Sequence, residues 1–348
     1  MRMKTLMKGN KMKTIITLIV SLLVSSTLSA REQMSIVGSS TVYPYSTVVA
    51  ERLSEQGYPA PTVQSTGTGG GMKLFCSGVG TDYPDITNAS RAMKSKEAKL
   101  CLDNGVVNVV EVIAGNDGIV FANALTGPQV ELTVAQLYQA MALKVVVDGA
   151  LVTNPYTKWS EIDQSLPDIK IDVMVAPPSS GTRDAWESLV MSKGCKQTGA
   201  DKFDDGKHCT EFRDDGAVIE MGENDTLIVS KLDADHNKFG FFGYSYLLNN
   251  QDKIKATPIN GVTPSLETIQ SYEYPVSRPL FYYIKADHVG TVPGIKEYAE
   301  LFISEDAVAL DGFLGEIGLV PLKESTMAEV HDRVTNLSTM DLESLASK

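Results

Sequence analysis

Past residue 30, apolar and polar positions switch between strand-like alternation and the period of about 3.6 that marks one face of a helix. Residues 34–37 alternate as a strand, cross the turn GSSTVYP at 38–44 and enter an apolar-periodic helix over 45–56. A second strand at 62–66 ends in GTGGG at 67–71 and opens a helix over 72–77. The same order returns at 169–193. There Ile169, Ile171, Val173 and Val175 alternate, 177–183 is a loop, and Trp186, Leu189 and Val190 share a helical face. Between these units, the stretch 85–91 leads into a charged helix at 94–103, and 106–113 and 118–123 read as two strands joined through Gly115, Asn116 and Asp117. Strands alternating with helices predict parallel α/β layers, whose ligands sit beyond the carboxyl ends of the strands.

After Asn123 the pattern changes lobe. A helix is expected over 132–143 with Thr133 near its start, Trp159 in a surface turn, a polar loop over 196–213 and a helix over 217–232. The aromatic run 239–247 reads as a core strand entering a turn. Strands at 255–259 and 278–285 follow, the second apolar enough to re-enter a central sheet, and helices at 295–304 and 305–314 close the fold. The expected organisation is a first lobe of 31–124 and 273–348 around a second lobe of 125–272, with two crossings.

Residues 1–30 read as a targeting segment. Five Lys/Arg and no acid lie within the first 14 residues, an apolar run follows at 15–28, and Ser29 and Ala30 are small. Cleavage is expected near Ala30, Met12 is an alternative start, and the product is expected to be exported to the periplasm. Losing those five basic residues takes the formal charge from −12 to −17. So acidic a chain is not expected to bind nucleic acid through bulk electrostatics. The four cysteines fall as two local pairs, which in an exported chain predicts disulfides Cys76–Cys101 and Cys195–Cys209. The four histidines are scattered singly, so neither a metal site nor a cofactor is expected.

The turns carry the candidate chemistry. A helix start leaves backbone N–H groups unpaired and concentrates about half a positive charge, and hydroxyls beside it complete an anion seat. Ser179, Ser180, Gly181 and Thr182 form one such start, with Arg183 offering a fork for two oxygens. Ser40 and Thr41, Thr68 among its glycines, and Ser90 beside Arg91 repeat the arrangement. The alternative for Ser180 is an ordinary N-cap, and for Arg183 a salt bridge to Glu187, i to i+4 on the helix.

Taken together, GSSTVYP, STGTGGG, DITNASRAM, APPSSGTRDAW, FGFFGYSY and YPVSRPLFYYIK resemble the phosphate-binding proteins of bacterial phosphate ABC transporters, the PstS type, from about residue 34 to 322. The resemblance implies a two-lobed α/β periplasmic-binding-protein fold, type II-like, with phosphate between the lobes. It also implies membrane permease subunits as partners, with the binding protein itself a monomer. By motif it assigns Ser40, Thr41, Val42, Thr68, Ser90, Ser180, Gly181 and Thr182 to the ligand. The chain departs at Ala176, where known members carry arginine, and at Arg91, where they carry aspartate. Arg183 and Arg91 are then expected to clamp the anion, one from each lobe. Asp117 is the candidate acceptor for the proton of HPO₄²⁻, ahead of Asp184, which is expected to face away, and Asp85.

Three classes compete: a transport receptor, with a general tetrahedral-oxyanion binder such as one for sulfate or molybdate as its alternative ligand reading; a secreted phosphatase using Ser180 or Thr68; and an adhesion or scaffolding protein. The phosphatase needs a base or metal beside the hydroxyl, and the dispersed histidines argue against it. An adhesion or scaffolding protein on the same fold would leave the repeated anion loops unexplained.

Overall fold

The computed structural model describes residues 33–178, 180–221 and 225–348, so the expected leader and Ser179 lie outside the described residues. Eleven strands are described: β1 (Ser35–Gly38), β2 (Thr62–Ser65), β3 (Ile86–Ala89), β4 (Val109–Ala124), β5 (Lys144–Val147), β6 (Ala150–Thr153), β7 (Val173–Val175), β8 (Val218–Glu220), β9 (Phe239–Gly243), β10 (Ile254–Ala256) and β11 (Ser277–Lys285). Nine of them form one sheet in the order β2-β1-β3-β11-β4-β9-β7-β8, with β10 also on β4, while β5 and β6 pair as a hairpin. β1 runs parallel to β2 and β3, and β7 parallel to β8 and β9, whereas β11 and β4 are antiparallel to each other. Helices follow β1, β2, β3 and β7, giving the expected strand–turn–helix units.

One strand carries both halves of the molecule. β4 has 16 residues and at the usual rise per residue extends about 50 Å. The sequence reading split it at residues 115–117, but these do not turn: Gly115, Asn116 and Asp117 pair with Leu280, Pro279 and Arg278 of β11. The register then slips so that Ala114 has no partner, a bulge that bends the strand without ending it.

Two main cores form on this strand. Val110, Val112 and Ala114 pack with Tyr282, Tyr298 and Phe302 in the first, and Ile119, Val120, Phe121 and Ala122 pack in the second. A smaller cluster around Phe75 and Tyr283 holds the Cys76–Cys101 disulfide. In the second core Trp186 stacks on Phe241 at 4.3 Å and on Phe121 at 5.7 Å. Trp159, expected in a surface turn, packs edge-on against Phe239 at 5.2 Å and is buried, because the turn lays its ring against the sheet.

Three further expectations change. Residues 217–232 are not one helix: β8 extends the sheet beside β7, and the helix is Asp225–Ala234. The run from Phe239 leaves the sheet at Gly243 for a helix at Tyr244–Leu248, and the helix expected at 305–314 ends at Val308. The helix capped by Thr133 stands, as Val134–Met141. The polar loop is closed by the Cys195–Cys209 disulfide. No described helix is long and apolar enough to cross a membrane.

Because Trp186 fills the centre of the second core, Trp186→Ala is expected to cost about 3–5 kcal/mol of unfolding free energy. Urea denaturation followed by circular dichroism measures it. A loss below about 1 kcal/mol would contradict the central placement of this ring.

Candidate functional site

Four turns at the carboxyl ends of β1, β2, β3 and β7 build the site. Two glycines allow the first pair to close: a Cβ on Gly71 would lie 2.4 Å from Gly38 Cα, and one on Gly38, whose φ is +127°, would lie 2.2 Å from the Asn88 carbonyl oxygen. The turn after β1 is thereby pressed between β3 and the helix Thr68–Phe75. Ser39 N–H donates to Asn88 O at 2.9 Å, and Val42 N–H reaches Ser39 Oγ at 3.4 Å. The Val42 side chain is buried in the first core, so only its backbone faces the turn. Among the described residues no hydrogen bond occupies the N–H groups of Ser40 and Thr41.

The helix start after β7 meets this turn directly. Ser180 Oγ accepts from Thr182 N–H at 3.2 Å as an N-cap, and a Cβ on Gly181 would lie 2.4 Å from Thr41 Cα. Only glycine permits that approach. Thr41 Oγ1 donates to the Gly181 carbonyl at 3.3 Å, and Ser40 Oγ donates to the Asp184 carboxylate. Asp184, expected to face away, therefore reaches across the seam, since the first helical turn places it against Ser40.

Beside this seam lies a cavity of about 270 Å³ lined by Thr41, Tyr45, Asp117, Ser180, Gly181 and Thr182, among others. Among the described residues no arginine lines it; the nearby cation is Arg278 of β11, which stands behind Thr41 and Asp117 of that wall. Arg278 donates from Nη2 to Thr41 Oγ1 at 3.0 Å and from Nε to Asp117 Oδ2 at 3.3 Å. Asp117 is buried, and burial pushes its carboxyl pKa up while Arg278 partly opposes the rise. Arg278 itself lines a second cavity, of about 500 Å³, with Thr68, Ser90, Arg91 and Asp184. The anticipated residues are thus divided, with Ser180 to Thr182, Thr41 and Asp117 on one side of Arg278 and Thr68, Ser90 and Arg91 on the other. Thr68 and Ser90 join their turns to each other, with Oγ1 and Oγ 3.1 Å apart and Ser90 N–H donating to Thr68 Oγ1 at 3.1 Å.

Both arginines expected to clamp the anion are committed elsewhere. Arg183 is 5% exposed. Its Nε lies 2.8 Å from Glu187 Oε1, Nη1 donates to Ala176 O at 3.1 Å, and the guanidinium sits 3.6 Å from the Phe212 ring centroid. The i to i+4 spacing turns it into the wall of its own lobe. Arg91 makes a bidentate pair with Glu97 at 2.9 and 2.7 Å. Burial alone would raise the Glu97 pKa, but the Arg91 hydrogen bonds and the Lys94 N–H hold it below the ordinary value. Arg278 is absent from the sequence-based expectations; its signal was a cation just ahead of the apolar run Pro279 to Ile284, and the register then sets it opposite Asp117.

Residues 24–306 match the PBP superfamily domain. The chain is similar to protein SphX of Synechocystis sp., at 30% identity over 300 residues, covering 84% of this chain and 79% of that protein. It is also similar to the phosphate-binding protein PstS of Staphylococcus epidermidis, at 30% identity over 285 residues, covering 79% of this chain and 75% of that protein. Among solved structures, a possible phosphate binding protein from Planctomyces limnophilus superposes with a TM-score of 0.69 at 29% identity, over 87% of this chain and 98% of the other. An ABC-type phosphate transport receptor from Vibrio cholerae, 20% identical, shares the fold with a TM-score of 0.57 over 83% and 99% of the two chains.

Two outcomes test the geometry without ligand. Arg183→Ala leaves Glu187 without its partner and is expected to lower stability by about 3 kcal/mol, measured by urea denaturation; an unchanged midpoint would place the guanidinium outside the wall. Since burial raises the Asp117 pKa, the folded chain keeps this proton where the unfolded chain releases it. Stability is therefore lost as pH rises from the ordinary carboxylate range to the raised value, and the deficit remains above it. Asp117→Asn should reduce that loss, so the variant minus wild-type difference in unfolding free energy grows between pH 4 and 7. A difference independent of pH would show Asp117 to be solvated.

Proposed function

This chain belongs to the PstS-type phosphate-binding proteins of the PBP superfamily, and we propose that it is a periplasmic receptor which captures inorganic phosphate between its lobes and presents it to the membrane subunits of an ABC permease. The observation that carries the reading is the meeting of Arg278, the open N–H groups of Ser40 and Thr41, and the Ser180–Thr182 helix start at one seam. Dipoles from the two turns and one partly buried guanidinium supply the positive field that an acidic protein otherwise lacks. Arg278 replaces Arg183 and Arg91 as the clamp in this reading. A guanidinium has five N–H donors, so after Thr41 and Asp117 it keeps donors for ligand oxygens. Ser40, Thr41, the Val42 backbone, Ser180, Gly181 and Thr182 take the first contacts, and Thr68 and Ser90 close the outer side.

Asp117 is assigned to selectivity. A carboxylate acceptor suits the single proton of HPO₄²⁻ and is left facing an unprotonated oxygen by sulfate. We read the protein as a binder rather than a hydrolase, because Thr68 is bonded to Ser90 and Ser180 caps its helix, and among the described residues neither hydroxyl has a histidine partner to act as its base. We further propose that the lobes cross at residues 115–118 of β4, ahead of the boundary at 124, since Ile119 to Ala122 already pack in the second core. The receptor acts as a monomer.

Calorimetry of the mature, oxidised protein with phosphate, sulfate, arsenate and molybdate tests the proposal. One phosphate per chain and strong exclusion of sulfate are expected. Arg278→Gln should cost about 2–5 kcal/mol, between one and almost four powers of ten in affinity. Asp117→Asn should weaken phosphate and admit sulfate. Phosphate affinity that survives Arg278→Gln unchanged would overturn the assigned site, and hydrolysis of a chromogenic phosphate ester would overturn the binder reading.

A further inference from the structure

His208 lies in the disulfide-closed loop of the second lobe, away from the anion seam. It is 2% exposed, and neither ring nitrogen has a hydrogen-bond partner. A buried imidazole normally finds a partner, so one left without any marks a place where a ligand is missing or a cost is carried. What stands beside it is sulfur. One ring nitrogen and the Sγ atoms of Cys195 and Cys209 all lie within 4.8 Å of one another, and all three residues are buried. Among the described residues this is the one such group of metal-binding side chains, and the Cys76–Cys101 pair has no equivalent third member.

We propose that reduction of Cys195–Cys209 opens a Cys₂His site for zinc or a similar borderline-soft divalent cation, held by the two sulfurs and a ring nitrogen of His208, with water in the fourth position. Ligands around a tetrahedral zinc stand about 3.5–4 Å apart, so once the sulfur–sulfur bond of about 2 Å is open the two sulfurs must part by about 2 Å at most. Side-chain rotation can supply that distance, and the ring nitrogen is already within reach. Two thiolates and an imidazole favour zinc over the oxygen-seeking magnesium or calcium. The step balances with a dithiol reductant. Its thiolate attacks one sulfur of the pair and the other leaves as a thiolate; its second thiol then closes on the mixed disulfide and frees the first sulfur. Two electrons pass to the cystine, and the reductant leaves as its own disulfide. The two cysteine thiols yield their protons when the metal binds.

The test uses the whole mature chain, reduced anaerobically with a phosphine and checked for retained structure by circular dichroism. Cobalt, the spectroscopic probe, should bind once per reduced chain with a thiolate-to-cobalt charge-transfer band that zinc abolishes, and should not bind the oxidised chain. His208→Ala should weaken binding at least tenfold. Thiol labelling read by mass spectrometry, with and without zinc, needs no variant: zinc should slow alkylation of Cys195 and Cys209 and leave the rates at the core-buried Cys76 and Cys101 unchanged. No band, a zinc-induced change in labelling that is the same at all four cysteines or absent at Cys195 and Cys209, undiminished affinity in His208→Ala, or binding only to an unfolded chain would each overturn the proposal.

Discussion

The site depends on where one guanidinium is held. Arg278 stands opposite Asp117 in the β4–β11 ladder and reaches Thr41 on the turn after β1, which in turn touches the helix start at Gly181. In a chain with a formal charge of −12, a partly buried cation beside two helix starts opposes the global field locally. Its partner is equally constrained, because Asp117 loses solvation by burial and recovers part of that loss from Arg278 alone among the charges that act on it.

That ladder also explains how two cores share one sheet. β4 gives its first half to one core and its second half to the other, so the strand is a common beam rather than a linker. Its slip at Ala114 and the residues Gly115, Asn116 and Asp117 lie between the two packed halves, where Leu319 crowds Gly115 and Asn116 bridges to Val320.

The strand–turn–helix units were legible because each puts small polar residues between two clear periodicities, and the cysteine spacing was enough to pair the disulfides. Longer-range facts were not. Arg278 and Asp117 are 161 positions apart, and only a sheet register makes them neighbours. Arg183, by contrast, stood inside a recognisable motif and drew attention to itself, although Glu187 four residues on was the better guide to its side chain. The β5–β6 hairpin had a readable signal that went unused: Asp148 and Gly149 carry φ of 50° and 80° between β-branched runs, the positive values a tight two-residue turn requires. Trp159 and β8 were misjudged because short segments take their burial from whatever they land on.

The aromatic packing has an optical consequence. Both tryptophans of the chain, Trp159 and Trp186, belong to the second core, while the first is built on tyrosine and phenylalanine. Indole emission is therefore a local gauge of one half of the molecule. A melting curve taken from it follows that half alone, and agreement with a signal drawn from the whole backbone would measure how far the two halves come apart as a single cooperative unit.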